Sequence, residues 1–207
     1  MRQAQILRVL LLGLTLAGLA GGGCRRYELT EAEGTAMTAT NLPPLDFSAG
    51  LPPDKLAGDL RLMGHRNWVV VADSAYPAQS SPGVETVYVG GSQIEMVKAV
   101  LEALDGAKHV KPVVHLDAEL KHVTESLAPG IAAYREQLDK LLQNRRLSVM
   151  PHDELIARLN EASKVFRVLI LKTDLTLPYT SVFFELDCGY WSPEREQQLR
   201  QTMGAKP

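Results

Sequence analysis

From Pro53 onward the apolar positions switch repeatedly between a helical and a strand-like spacing. In PDKLAGDLRLMG, Leu56, Leu60 and Met63 fall on one helical face, and Gly64 supplies the stop. WVVVA, residues 68–72, is an unbroken apolar run and reads as a strand buried on both faces. ETVYVGG predicts a second strand. SQIEMVKAVLEAL then predicts a helix: Ser92 and Glu95 have capping-box spacing, and Ile94, Val97, Val100, Leu101 and Leu104 form its stripe. VKPVVHL predicts a third strand, GIAAYREQLDKLL a helix, RLSVM a short strand and DELIARLNEAS a helix. VFRVLILK and SVFFELD are the last two strands, with TDLTLPYT between them.

Strands alternating with helices predict one α/β domain over residues 53–207, with a mostly parallel sheet flanked by helices. The last two strands can instead pair antiparallel through the loop at Pro178. Ligands in open α/β sheets bind outside the carboxyl ends of the strands. Asp73 and His152 each follow a predicted strand at such an end.

The pattern before Pro53 is different. Arg2 and Arg8 precede an apolar run from Val9 to Ala20, then Gly21, Gly22, Gly23 and Cys24. This is the layout of a secretory signal, and its apolar core is shorter than the roughly 20 residues of a membrane span. Small residues ending in Cys resemble a bacterial lipoprotein signal, although Gly21 stands where a large aliphatic residue is usual. Residues 1–23 are therefore expected to be the signal, and Cys24 the lipid-attachment site of an exported, membrane-anchored protein. Plain secretion or a retained N-terminal anchor is the alternative. Residues 24–52, rich in Thr, Ala, Gly and Pro, read as a flexible tether. With Cys24 lipidated, Cys188 has no intramolecular partner and reads as a buried thiol at a strand end.

Composition narrows the function. The chain has 207 residues, 45% of them hydrophobic, and a net charge of −2, with no basic block to suggest nucleic acid. His109, His115 and His122 are close in sequence, but their spacing matches neither an i, i+4 helical pair nor a standard zinc motif. No phosphate-binding glycine loop and no GxSxG elbow is present. Neither a metal nor another cofactor is expected.

One resemblance is more specific. Gly64-His65, the apolar strand, and then Asp73, Ser74, Tyr76 and Pro77 resemble the opening motif of the D-ribose pyranase / L-fucose mutarotase family. SVMPHDELIARLNEASKVFRVLI is similar to that family's strand–His–helix–strand segment, with His152 at the His position. LPYTSVFFELDCG resembles its closing Tyr-x-Asn strand, with Tyr179 at the Tyr position and Ser181 in place of Asn. The likeness runs over about residues 53–190. Three features depart from the family: Ser181, a longer segment between His152 and Tyr179, and export, since these enzymes serve intracellular sugar metabolism.

The resemblance implies exchange of ring forms or anomers of a free monosaccharide, a pentose or deoxyhexose, by acid–base catalysis. Opening a hemiacetal requires one group to remove the anomeric proton while another protonates the ring oxygen. Histidine, titrating near 6.5 when unperturbed, suits both tasks. The family assignment makes His65 the proton donor, with Asp73, His152, Tyr179 and Ser181 holding sugar hydroxyls. Each has a plainer reading. His65 can cap a helix, Asp73 can form a turn, His152 can begin a helix, and Tyr179 can pack a loop. A non-catalytic carbohydrate-binding or envelope-structural lipoprotein of the same fold is the alternative function. The family also assembles into rings, and this bears on the site. The strand between His65 and Asp73 spans about 16 Å, too far for one sugar to bridge. The site is therefore expected to be shared between subunits of a homo-oligomer.

Overall fold

Strands and helices alternate along residues 53–204, the part of the chain that the computed structural model describes. In chain order they are α1 (Pro53–Leu62), β1 (Trp68–Ala72), β2 (Val84–Tyr88), α2 (Gln93–Gly106), β3 (Val110–Asp117), a 3-10 turn (Ala118–His122), α3 (Ile131–Leu142), β4 (Leu147–Met150), α4 (His152–Ser163), β5 (Val168–Lys172), β6 (Val182–Cys188) and α5 (Pro193–Thr202). The expected signal, Cys24 and the tether lie outside the described residues. No helix among the described residues is long and apolar enough to cross a membrane.

The strands form one sheet in the order β2-β5-β1-β6-β3-β4. β1 and β2 run parallel to β5, and β3 parallel to β4. β6 lies antiparallel between β1 and β3. The sheet is thus mostly parallel, as the alternating pattern predicts. The antiparallel option for the last two strands holds for direction but not for partner. Residues 173–181 carry no crossover helix, so β6 must run back. It cannot lie beside β5, whose two edges are already taken by β2 and β1.

β1 is buried along its whole length, and its side chains alternate between two cores. Val69 and Val71 face the larger core, built with Leu56 and Leu60 of α1, Val97 and Val100 of α2, and Ile131 and Leu138 of α3. Trp68, Val70 and Ala72 face a smaller core with Leu155 and Leu159 of α4, and Phe183 of β6. Full burial of each such leucine contributes about 1.5–3 kcal/mol. α4 is thereby fixed across one face of the sheet with His152 at its first position.

Some elements differ from the sequence reading. β5 begins at Val168 rather than Val165, because Val165 and Phe166 both bond back to the Ala162 carbonyl as α4 ends. Cys188 is only partly buried, since it sits at the last position of β6. α5 was not foreseen, because it is polar all round and buries no residue.

Candidate functional site

The carboxyl ends of the parallel strands gather several polar side chains. Asp73 follows β1, and Ser181 immediately precedes β6. Antiparallel pairing sets these two ends side by side, with Val71 opposite Val182. Ser181 Oγ donates to Asp73 Oδ2 at 2.8 Å and accepts from the Asp73 amide at 3.3 Å. Asp73 Oδ1 accepts from the Ala75 amide at 2.9 Å, which closes an Asx turn. The turn-forming reading of Asp73 is therefore real. It leaves the carboxylate further lone pairs, since each oxygen accepts more than one hydrogen bond.

His152 opens α4 directly after Pro151. Both Glu119 carboxylate oxygens accept from its backbone amide, at 3.1 and 3.0 Å. Its Nδ1 lies 3.0 Å from Asp117 Oδ2 at the end of β3. Its ring meets Tyr179 edge-on, with centroids 5.6 Å apart. Asp117 is buried, and burial pushes its carboxyl up from the ordinary range while the hydrogen bond with His152 pulls it down. Tyr76 is also buried here, and burial together with the nearby charges of Asp117 and Asp73 keeps its phenol protonated. Asp73, Ser181, His152 and Tyr179 thus share the region around Asp117.

A buried polar clamp holds the loop that presents Tyr179 and Ser181. Gln93, at the start of α2, and Tyr134, on α3, both donate to the Thr180 carbonyl, at 2.5 and 2.7 Å. The single Thr173 hydroxyl hydrogen is shared between the Ala72 carbonyl at 2.9 Å and Gln93 Oε1 at 3.1 Å. Tyr179, between Pro178 and Thr180, is held at φ 58°. Only Gly enters that left-handed region without cost, so packing and hydrogen bonds must impose it on a tyrosine.

His65 lies elsewhere. The Asn67 amide bonds the Gly64 carbonyl at 3.0 Å, and Arg66 has φ 75°, so residues 64–67 form a type II turn with His65 near its tip. The imidazole is more than half exposed, and its Nε2 is 3.6 Å from Asp187 Oδ1. Asp187 and Ser181 are six positions apart along β6, hence about 20 Å. His65 therefore stands at one end of the sheet, and Asp73 with its neighbours at the other. Beside His65 an open groove of about 530 Å³ is lined by Trp68, Arg158, Phe166 and Glu185. Glu185 accepts from His115 Nε2 at 2.9 Å and from Arg158 at 3.1 Å. The hydrogen bond from His115 holds the Glu185 carboxyl below its usual range.

His109 Nε2 lies 3.2 and 3.0 Å from the Leu60 and Met63 carbonyls, where it caps the end of α1. Among the described residues, no group of three or more His, Cys, Asp or Glu side chains could hold a metal ion. Asp117 and Glu119 are the site residues that the sequence reading missed. Asp117 carries the same signal that singled out Asp73, an acid at the carboxyl end of an apolar strand.

The chain is similar in fold to several solved structures. Three of them are Bacillus subtilis RbsD complexed with D-ribose (18% identity, 69% of this chain and 97% of that one, TM-score 0.48), FucU from Bifidobacterium longum (19%, 69% and 97%, 0.46), and the fucose mutarotase of Streptococcus pneumoniae in complex with L-fucose (18%, 68% and 94%, 0.45). No curated protein matches in direct sequence comparison. The family model described as the RbsD / FucU transport protein family matches residues 50–186. That stretch is well over half of the 207 residues and contains His65, Asp73, His152, Tyr179 and Ser181, so this chain belongs to the RbsD / FucU family.

Proposed function

We propose that the protein is a monosaccharide mutarotase or pyranase, acting on a pentose or deoxyhexose at a site shared between neighbouring subunits. The observation that carries this reading is the gathering of Asp73, Ser181, His152 and Tyr179 at one end of the sheet, in a member of this family, with His65 about 20 Å away. Asp73 and Ser181 offer acceptors and a hydroxyl to sugar O–H groups, and Tyr179 offers a flat face for the C–H groups. His65 of a second subunit supplies a proton to the ring oxygen. As the C1–O bond to the ring oxygen breaks, its electron pair stays on that oxygen, which takes the proton. The anomeric O–H gives up its own proton to a base, and the open aldehyde forms. Ring closure reverses both transfers, so no net acid or base is consumed.

His65→Ala should abolish ring exchange with little loss of stability, because a half-exposed turn side chain buries little surface. Exchange NMR on the full-length protein reads this directly, and an unchanged rate would remove His65 from the reaction. A wild-type protein that binds sugar without exchanging it would support the carbohydrate-binding alternative. The N-terminal pattern adds a proposal of place: export, and attachment to the cell envelope through lipid on Cys24.

A further inference from the structure

Asp117 is among the most enclosed acids of the described residues, and its surroundings give it one evident task. Its residue exposure is 2%, and its Oδ1 is buried without a hydrogen-bond partner. Its Oδ2 meets a single side chain, His152, at 3.0 Å. An ionised Asp117 can only accept, and His152 Nδ1 then carries the hydrogen. In a neutral imidazole the other nitrogen, Nε2, is then a bare acceptor. The ring is otherwise fixed by Glu119 on its backbone amide and by Tyr179 against its edge. Its side chain is 37% exposed, while that of Asp117 is 1% exposed. The open part of the ring is therefore the part turned away from Asp117, where Nε2 lies.

Asp73, the acid of the opening motif, is bonded elsewhere. Its two oxygens are engaged with the Ser181 hydroxyl and the Ala75 amide. The charged and titratable groups facing His152 and Asp117 are Glu119 in the 3-10 turn, Asp73 after β1, Tyr76 in the loop beyond it, and Tyr179 before β6.

We propose that Asp117 is a positioning residue that holds His152 in the Nδ1–H tautomer, and that His152 Nε2 is the base of the ring-opening step. The second half rests on the mutarotase reading; the first does not. Nε2 takes the proton of the anomeric hydroxyl as C1=O forms. The C1–O pair passes to the ring oxygen, which is protonated by the imidazolium of His65 from the neighbouring subunit. After rotation about C1–C2, closure returns the proton from His152 to the carbonyl oxygen and the hydroxyl proton to His65. His152 is then a reacting group rather than a holder of a sugar hydroxyl alone.

Long-range ¹H–¹⁵N spectra of the ¹⁵N-labelled full-length protein test the tautomer without any sugar. The expected wild-type result is a protonated-type shift at His152 Nδ1 and a bare-type shift at Nε2. In Asp117→Asn the amide can donate to Nδ1, so the proton should move to Nε2. Exchange at saturating sugar should then fall by about 10²–10⁴-fold, the usual worth of a positioned acid or base, with a much smaller change in KM. A wild-type His152 protonated at Nε2 alone would overturn the proposal, and so would an Asp117→Asn protein with an unchanged tautomer and rate. Should Asp117→Asn fail to fold, the wild-type spectrum still decides the tautomer. The Nδ1–H tautomer without exchange of any sugar would uphold the role of Asp117 as a positioning residue and reject the mutarotase reading.

Discussion

Two inactive variants should restore each other when their subunits mix. The perturbations are His65→Ala and Asp73→Ala, which remove the two ends of the proposed site. In one chain those ends are separated by the run of β6 from Ser181 to Asp187, about 20 Å. A monosaccharide is less than half that length, so one chain cannot supply both. A working site then needs an intact His65 from one subunit and an intact Asp73 from its neighbour. In an equal, random mixture each condition is met half the time, so about one quarter of the sites should be intact. The figure is the same for a closed ring and for a two-fold dimer, because in both every site takes one residue from each of two chains. The assay is exchange NMR after the variants have been mixed and subunit exchange confirmed, for instance by native mass spectrometry of an isotope-labelled partner. Recovery near one quarter of the wild-type rate supports the shared site. Absence of recovery despite confirmed exchange would refute it, as would an active monomer.

Glu185 predicts a pH dependence of stability. Its folded-state pKa is depressed, chiefly by the hydrogen bond from His115. Such a carboxylate stabilises the fold above its unfolded value, about 4.3, and the gain is lost as pH falls through the lower folded value. Glu185→Gln should therefore cost about 1–2 kcal/mol at pH 7 and progressively less below pH about 4. Denaturant melts across that range check it, and an equal loss at every pH would contradict it. Cys24→Ser should release the protein from the membrane fraction or leave it misprocessed. A variant still membrane-bound with an intact N-terminus would show a retained anchor instead of a lipidated cysteine.

Local spacing carried most of the fold. The stripes of α1 and α2, the Ser92 cap and the doubly buried β1 are each legible within about a dozen residues, and each is found in place. The partner of β6 was not legible, because which edge is free depends on strands more than 100 residues away. α5 was silent for a different reason: PEREQQLRQT has no apolar face to give a period. In the site, the sequence placed Asp73 and His152 at strand ends, and the length of β1 already separated His65 from Asp73. Asp117 lies one residue past the apolar pattern of VKPVVHL, where nothing local marks an acid as buried. Burial and the contact with His152 arise only when β3 and β4 pair and α4 starts beside them.

The central claim is catalysis on a free sugar, and magnetisation-transfer NMR at equilibrium tests it most directly. Saturating one anomeric proton and observing the others, with and without the wild-type full-length protein, reads ring and anomer exchange in a single experiment across pentoses and 6-deoxyhexoses. Protein-dependent transfer for at least one sugar, lost in His65→Ala, is the predicted result. Uncatalysed transfer rates for every sugar in the panel, from an oligomeric protein that demonstrably binds one of them, would contradict the account.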